Sequence, residues 1–433
     1  MGRGDARLRR PARGGLSVGF VALCVVGSGL VVNGYLAVVA RNLSAVEFSH
    51  FGAFWSLALV IGFGAFLPIE QEVARSLREP DGRHHRLGDA VAMAAGLAAG
   101  LLLVLGAALP LVWAAIGGSV GTVIALGVLC IVSAGQFIVR GMLIGLGRLR
   151  AHGCVLLGDA VLRLVLAVVA AAIGSSDSAT FVWTLVCAIA LTHLPLLPAL
   201  GRRTSRVATG APLSSAIAHR SFPAAVAPLL IGAVCAQLLL NGLPVVVSAL
   251  AEPAEQARAG QFLAAFTLLR IPLFVAVPLQ TAIIPGLAAL AVSPGRPAAL
   301  GRTLGKVAAA LLAAGLVGVG AVLAVGPDVV TLVFGTQYRL PAGDLALMTA
   351  GVTAYLGLLI VTQALIATTR HRDVAATWSG GLLVAVVVFA AVPDLLLRAE
   401  LAFLAGSLAG WVAGTVRIVR HRSPERGDPC LAR

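Results

Sequence analysis

Apolar runs of roughly 20 residues, each long enough to cross the hydrocarbon core of a bilayer as a helix, recur from Gly15 to the C-terminal tail. A backbone surrounded by lipid must satisfy its polar groups internally, so runs of this kind specify helices and rule out open sheets. Hydropathy places spans at 15–40, 51–69, 89–116, 121–146, 153–174, 180–200, 222–249, 261–291, 307–325, 345–369, 376–392 and 401–416. The expected fold is an all-α integral membrane protein of about twelve transmembrane helices. With 59% hydrophobic and 12% charged residues, the chain has too little polar surface to coat a water-soluble globule. No stretch is left over for a soluble catalytic domain.

The net charge of +14 comes from 32 Lys+Arg against 18 Asp+Glu. These charges lie mostly between the spans, where they orient helices. With the N-terminus inside, basic residues fill the leader through Arg13, the 75–86 and 202–220 segments, Arg148, Arg150, Arg296, Arg302, Lys306, Arg370, Arg372 and the tail from Arg417. The opposite segments hold only Arg41, Arg258, Arg339 and Arg398. By the positive-inside rule this alternation calls for an even number of helices, with N- and C-termini both cytoplasmic in a multi-pass protein of the cytoplasmic (plasma) membrane. A basic stripe interleaved with aromatics is absent, which argues against nucleic acid as a partner. No nucleophile triad, metal-ligand spacing, CxxC pair or phosphate-binding GxxxxGK[ST] loop is present, so neither an enzyme nor a cofactor or metal site is expected.

The chain also repeats itself. The ungapped shift that lays Leu30 on Leu238 aligns LVVNGYLAVVARNLSAVEFSHFGAF with LLLNGLPVVVSALAEPAEQARAGQF, matching Asn33 to Asn241, Gly34 to Gly242 and Glu47 to Glu255. Helix 1 thus resembles helix 7. Two six-helix lobes of like orientation are expected, 1–203 and 204–433 with the tail, related by a pseudo-twofold along the membrane normal.

Several segments resemble a known family. VVARNLSAVEFSHFGAFWSL and PIEQEVARSL at the ends of helices 1 and 2, PLQTAIIPGLAAL around Gln280, and VVTLVFGTQYRLPAGDLAL ahead of helix 10 look like the Wzx-like polysaccharide-export branch of the MOP (multidrug/oligosaccharidyl-lipid/polysaccharide) flippase superfamily. The resemblance implies a MATE/MOP-like transporter whose lobes face each other across a central cavity. It implies a flippase that moves polyprenyl-pyrophosphate-linked oligosaccharide, or a related cell-surface polysaccharide precursor, outward by alternating access. Its partners would be the lipid-linked saccharide, membrane lipids and polysaccharide assembly enzymes. A cation-coupled multidrug exporter of the MATE branch would share the fold and is the alternative; it would want acidic residues in its cavity. A membrane-embedded glycosyltransferase is a third class, but the longest outer segment, 326–343, carries no catalytic pattern.

Ionisable groups inside spans cost several kcal/mol when they face lipid, so each is by default a candidate for the bundle interior. Arg140, Arg163 and Arg270 lie within spans and Arg41 near the outer end of helix 1; a guanidinium fork suits a pyrophosphate. Arg163 follows Asp159 by four residues, on one helix face, which predicts an internal ion pair. Arg270 has no carboxylate nearby in sequence, and Pro272, Pro278 and Pro285 break its span. Asn33, Asn241 and Gln280 are cavity or interhelical hydrogen-bonding candidates. Asp159, Glu70 and Glu72 are candidates for coupling or gating, with a solvated helix end carrying a Glu72–Arg75 pair as the plainer reading of the last two.

Overall fold

The helix boundaries fall where the sequence supplies caps. Ser44 accepts from the Glu47 amide at 3.2 Å, Ser119 from Thr122 at 3.4 Å and Asp177 from Thr180 at 2.9 Å, each satisfying an otherwise orphaned N-terminal donor. Gly147, at φ 69°, ends another helix in the left-handed region that costs glycine little. The computed structural model describes residues 12–78, 87–202, 222–273, 297–368 and 370–420.

The N-terminal half holds α1 (Ala12–Asn42), α2 (Ala45–Leu59), α3 (Leu67–Ser76), α4 (Leu87–Ala107), α5 (Leu109–Ala115), α6 (Val120–Gly145), α7 (Leu149–Ala172) and α8 (Ser178–His193). A π-helical segment, Val60–Phe66, joins α2 to α3 within one long span. The C-terminal half holds α9 (Phe222–Gln237), α10 (Leu243–Leu250), α11 (Gln256–Leu269), α12 (Pro297–Phe334), α13 (Ala342–Ala367), α14 (His371–Ala391) and α15 (Leu395–Arg420). A second π-helical segment, Leu238–Gly242, joins α9 to α10. Among the described residues, eleven helices are long and apolar enough to cross a membrane. The remaining expected span, at 261–291, opens with α11; Gln280 and the rest of 274–296 lie outside the described residues, as do His84 and His85.

Both halves are built on the same pairings. In the first, α1 packs on α7, α3 and α4 on α6, α6 on α8, and α7 on α8. In the second, α9 packs on α14, α11 and α12 on α13, α13 on α15, and α14 on α15. Counted as spans, first with fifth, second and third with fourth, and fourth and fifth with sixth recur in each half. The shift that lays Asn33 on Asn241 also lays the end of α1, Asn42, on the end of α10, Leu250.

Burial separates central from peripheral helices. In the most apolar stretch of α12 6% of the residues are buried and in that of α6 72%, so α12 lies at the periphery while α6 is enclosed by protein. Leu103, Leu316, Val317 and Leu332 are exposed apolar side chains of the kind a bilayer covers.

The halves meet tightly at the end carrying the turns near residues 43, 117, 252 and 338. There α2 packs on α11 and α5 on α10, and the Ser49 and Ser248 hydroxyls lie 2.8 Å apart. Tyr338 donates to the Ala40 carbonyl at 2.9 Å. Gly260 sits directly against the Ala45 carbonyl, in space that a Cβ would fill.

Candidate functional site

The buried cations of the two halves are held differently. In the N-terminal half, α3 packs on α6 and brings Glu70 against Arg140. Arg140 Nε lies 2.9 Å from Glu70 Oε2, while the directed hydrogen bond from Nη2 to Oε1 is long at 3.4 Å. The guanidinium also lies over the rings of Phe137 and Phe63, at 4.7 and 5.7 Å from their centroids. The pair is therefore compensated in charge but loosely bonded. One turn along α7, Arg163 pairs with Asp159 as the spacing predicts, beneath the ring of Trp55.

Glu70 and Glu72 are not a solvated helix end. Glu70 is 5% exposed and Glu72 3% exposed, because α6 and α9 cover α3. The expected Glu72–Arg75 pair does form, at 2.6 Å, with its carboxylate buried and its guanidinium half in solvent. A cavity of about 560 Å³ opens beside them, lined by Glu70, Gln71, Ala74, Arg75, Arg78 and Ile144. Arg78 donates to the Ile144 carbonyl at 2.7 Å, which anchors it at the rim.

In the C-terminal half, α11 stops at Leu269 and Arg270 forms its cap, just ahead of Pro272, as the prolines predict. Arg270 is 7% exposed; its Nη1 donates to Asn241 Oδ1 at 2.6 Å, and its guanidinium lies 4.6 Å from the Phe266 centroid. Asn241 in turn donates to Gln237 Oε1 at 2.7 Å. Phe266 stands edge-on to Phe403, Phe403 stacks on Tyr355 and Tyr355 neighbours Trp378, a chain of rings that begins at the one facing the cation. Among the described residues no carboxylate lies within ion-pair distance of Arg270. A fixed positive charge thus stands inside the C-terminal half, and its partners among the described residues are all neutral.

The remaining candidates scatter. Asn33, the sequence counterpart of Asn241, donates to the Gly29 carbonyl of its own helix at 2.9 Å, and its Oδ1 is buried without a partner among the described residues. Arg41 is outside any cavity: it is exposed and donates to the Leu332 and Val333 carbonyls, clamping the end of α12 to the end of α1. His193 is fully buried, with Nδ1 on the Ile189 carbonyl. Sequence reasoning missed the ring faces of Phe63, Phe137 and Phe266, since cation–π partners have no sequence spacing across helices. It also missed Glu400, which is buried in α15 with Oε1 unpartnered.

No family model matches the chain. The uncharacterized protein Rv3630 of Mycobacterium tuberculosis (strain ATCC 25618 / H37Rv) is 30% identical over 420 residues, covering 94% of this chain and 92% of the relative. An inward-facing multidrug resistance MATE family transporter of the MOP superfamily superposes with a TM-score of 0.67 at 11% identity, covering 93% of this chain and 97% of the other. The lipid II flippase MurJ, in an inward closed conformation, superposes with a TM-score of 0.61 at 12% identity, covering 93% and 87%. Such low identity carries the fold and nothing finer. The chain belongs to the family of Rv3630, and it is a multi-pass membrane protein with the MATE/MOP transporter fold.

Proposed function

We propose that the protein is a flippase for polyprenyl-pyrophosphate-linked oligosaccharide, acting in the cytoplasmic membrane with both termini in the cytoplasm. Its lobes are 1–203 and 204–433, and the tightly joined end, around Tyr338 and Gly260, faces outward. The observation that carries this reading is Arg270, a buried guanidinium whose partners among the described residues are all neutral. An anion crossing a low-dielectric interior needs fixed positive charge along its route, because an unpaired charge in hydrocarbon costs several kcal/mol. A guanidinium fork presents two donors to phosphate oxygens where an ammonium presents a point charge. The fold shared with a lipid II flippase is consistent with a lipid-linked cargo.

The test is translocation of a fluorescent prenyl-pyrophosphate disaccharide in proteoliposomes. Arg270→Ala abolishes translocation while insertion and yield stay at wild-type level, and Arg270→Lys retains part of the rate. Wild-type translocation by Arg270→Ala overturns the reading. Extrusion of a cationic dye by the wild type, with no movement of the pyrophosphate probe, would instead place the protein with MATE-type exporters, whose fold it shares.

A further inference from the structure

Resting on that reading, we propose that the 560 Å³ cavity at Glu70 is a docking site for the anionic diphosphate headgroup, in which Arg140 exchanges Glu70 for a phosphate oxygen as Glu70 takes up a proton. The cavity is mixed in charge. Arg75 and Arg78 stand at the rim, each held by a bond of its own: Arg75 to Glu72, and Arg78 to the Ile144 carbonyl. Glu70 lies at the inner wall with Arg140 behind it. An arriving anion meets the two rim cations first, and the next cation inward is Arg140, which is already compensated.

The geometry of the inner pair allows exchange. A tightly forked carboxylate–guanidinium pair presents two short parallel bonds; here one contact is close but poorly directed and the directed one is 3.4 Å long. Arg140 also keeps its contacts with Phe63 and Phe137 whichever anion it faces. If Glu70 stayed ionised, a phosphate on Arg140 would put two like charges in a buried site, which is strongly unfavourable. Binding is therefore linked to protonation: a proton from cytoplasmic water bonds to a Glu70 carboxylate oxygen as the anion arrives, and returns to water when the anion leaves. Among the described residues, the charged and titratable groups around this site are Arg140 on α6, with His152 on α7 and His193 on α8 near it, and Glu72, Arg75 and Arg78 on or beside α3; α4, which also packs on α3, carries Asp89 in its first turn. The described part of α9 that packs on α3 brings no charge.

The experiment titrates farnesyl pyrophosphate into the detergent-solubilised full chain by calorimetry, in two buffers of different ionisation enthalpy, so that protons taken up per bound probe are counted. The wild type binds with net proton uptake and binds more tightly as pH falls. Glu70→Gln, which stands for the protonated carboxyl, binds at least as tightly at neutral pH with the uptake abolished. Arg78→Ala, an exposed change that leaves the fold intact, weakens binding about threefold to tenfold, the loss expected for one charged contact. Proton uptake in Glu70→Gln equal to that of the wild type overturns the site, as does binding that both variants leave unchanged; in either case the flippase reading stands on its own test with Arg270. Absence of any binding to the wild type overturns both.

Discussion

The two halves share a scaffold and differ in how they house a buried cation. In the N-terminal half, Arg140 and Arg163 each face a carboxylate, Glu70 and Asp159. In the C-terminal half, Arg270 faces an amide and a ring. The shift that pairs Asn33 with Asn241 lays Arg270 on Gly62, inside the π-helical segment of the first half. So the second span of each half departs from α-helical geometry at the same place, and only one of the two carries a charge there. The repeated helix pairings fix the frame, while the polar content at equivalent positions has diverged. A paired cation is neutral toward an anion until its partner yields; an unpaired one attracts anions at once.

The largest effect is expected from breaking the N-terminal pair. Glu70→Ala leaves Arg140 buried and uncompensated, at a cost of about 3–5 kcal/mol. Thermal unfolding in detergent should show a much lower midpoint, and the double change Glu70→Leu with Arg140→Met should recover most of the loss, since replacing both members of a buried pair by apolar groups is often neutral. A Glu70→Ala midpoint equal to wild type would mean that Arg140 finds another partner, and the contrast between the halves would dissolve.

Asn241→Leu comes next. It removes the acceptor at 2.6 Å from Arg270 and strands a charged donor, at a cost of about 1.5–3 kcal/mol. The same unfolding measurement checks it. A negligible shift would show that Asn241 is incidental and that the Phe266 face alone supports the cation.

Most of the frame was legible in the sequence, and for one reason: lipid demands about 20 apolar residues per crossing, so hydropathy locates helices directly. The span read at 121–146 is α6, Val120–Gly145, and that read at 345–369 is α13, Ala342–Ala367. The reading fell short where helices extend past the lipid-like stretch, as α12 does from Pro297 to Phe334. Of the polar groups, Asp159–Arg163 was legible because four residues make one helical turn. Glu70–Arg140 was not, because its members are 70 residues apart and meet only through the packing of α3 on α6. Arg270 was marked by the prolines that follow it, but its partner Asn241 lies on another helix and has no spacing signal. Arg41, a cavity candidate near the outer end of helix 1, is an exposed clamp, since position near a helix end does not reveal which neighbour's carbonyls lie in reach.

The smallest effect is expected at Asn33, and it sharpens the comparison most. Its side-chain amide donates to the Gly29 carbonyl, four residues back, which the helical ladder already serves through the Asn33 backbone amide. Its Oδ1 is buried with no partner, so the folded chain bears the desolvation of that oxygen without return. Asn33→Leu, with the same number of side-chain heavy atoms branched at the same carbon, removes the orphan and leaves the carbonyl satisfied, so stability should change by less than about 0.5 kcal/mol or rise. A loss as large as that of Asn241→Leu would reveal a partner for Asn33 and make the halves equivalent after all. Unchanged stability with lost translocation would be more telling, because a buried acceptor that no protein group occupies, at the position where the other half binds a guanidinium, would then be serving the cargo or the opposite conformational state.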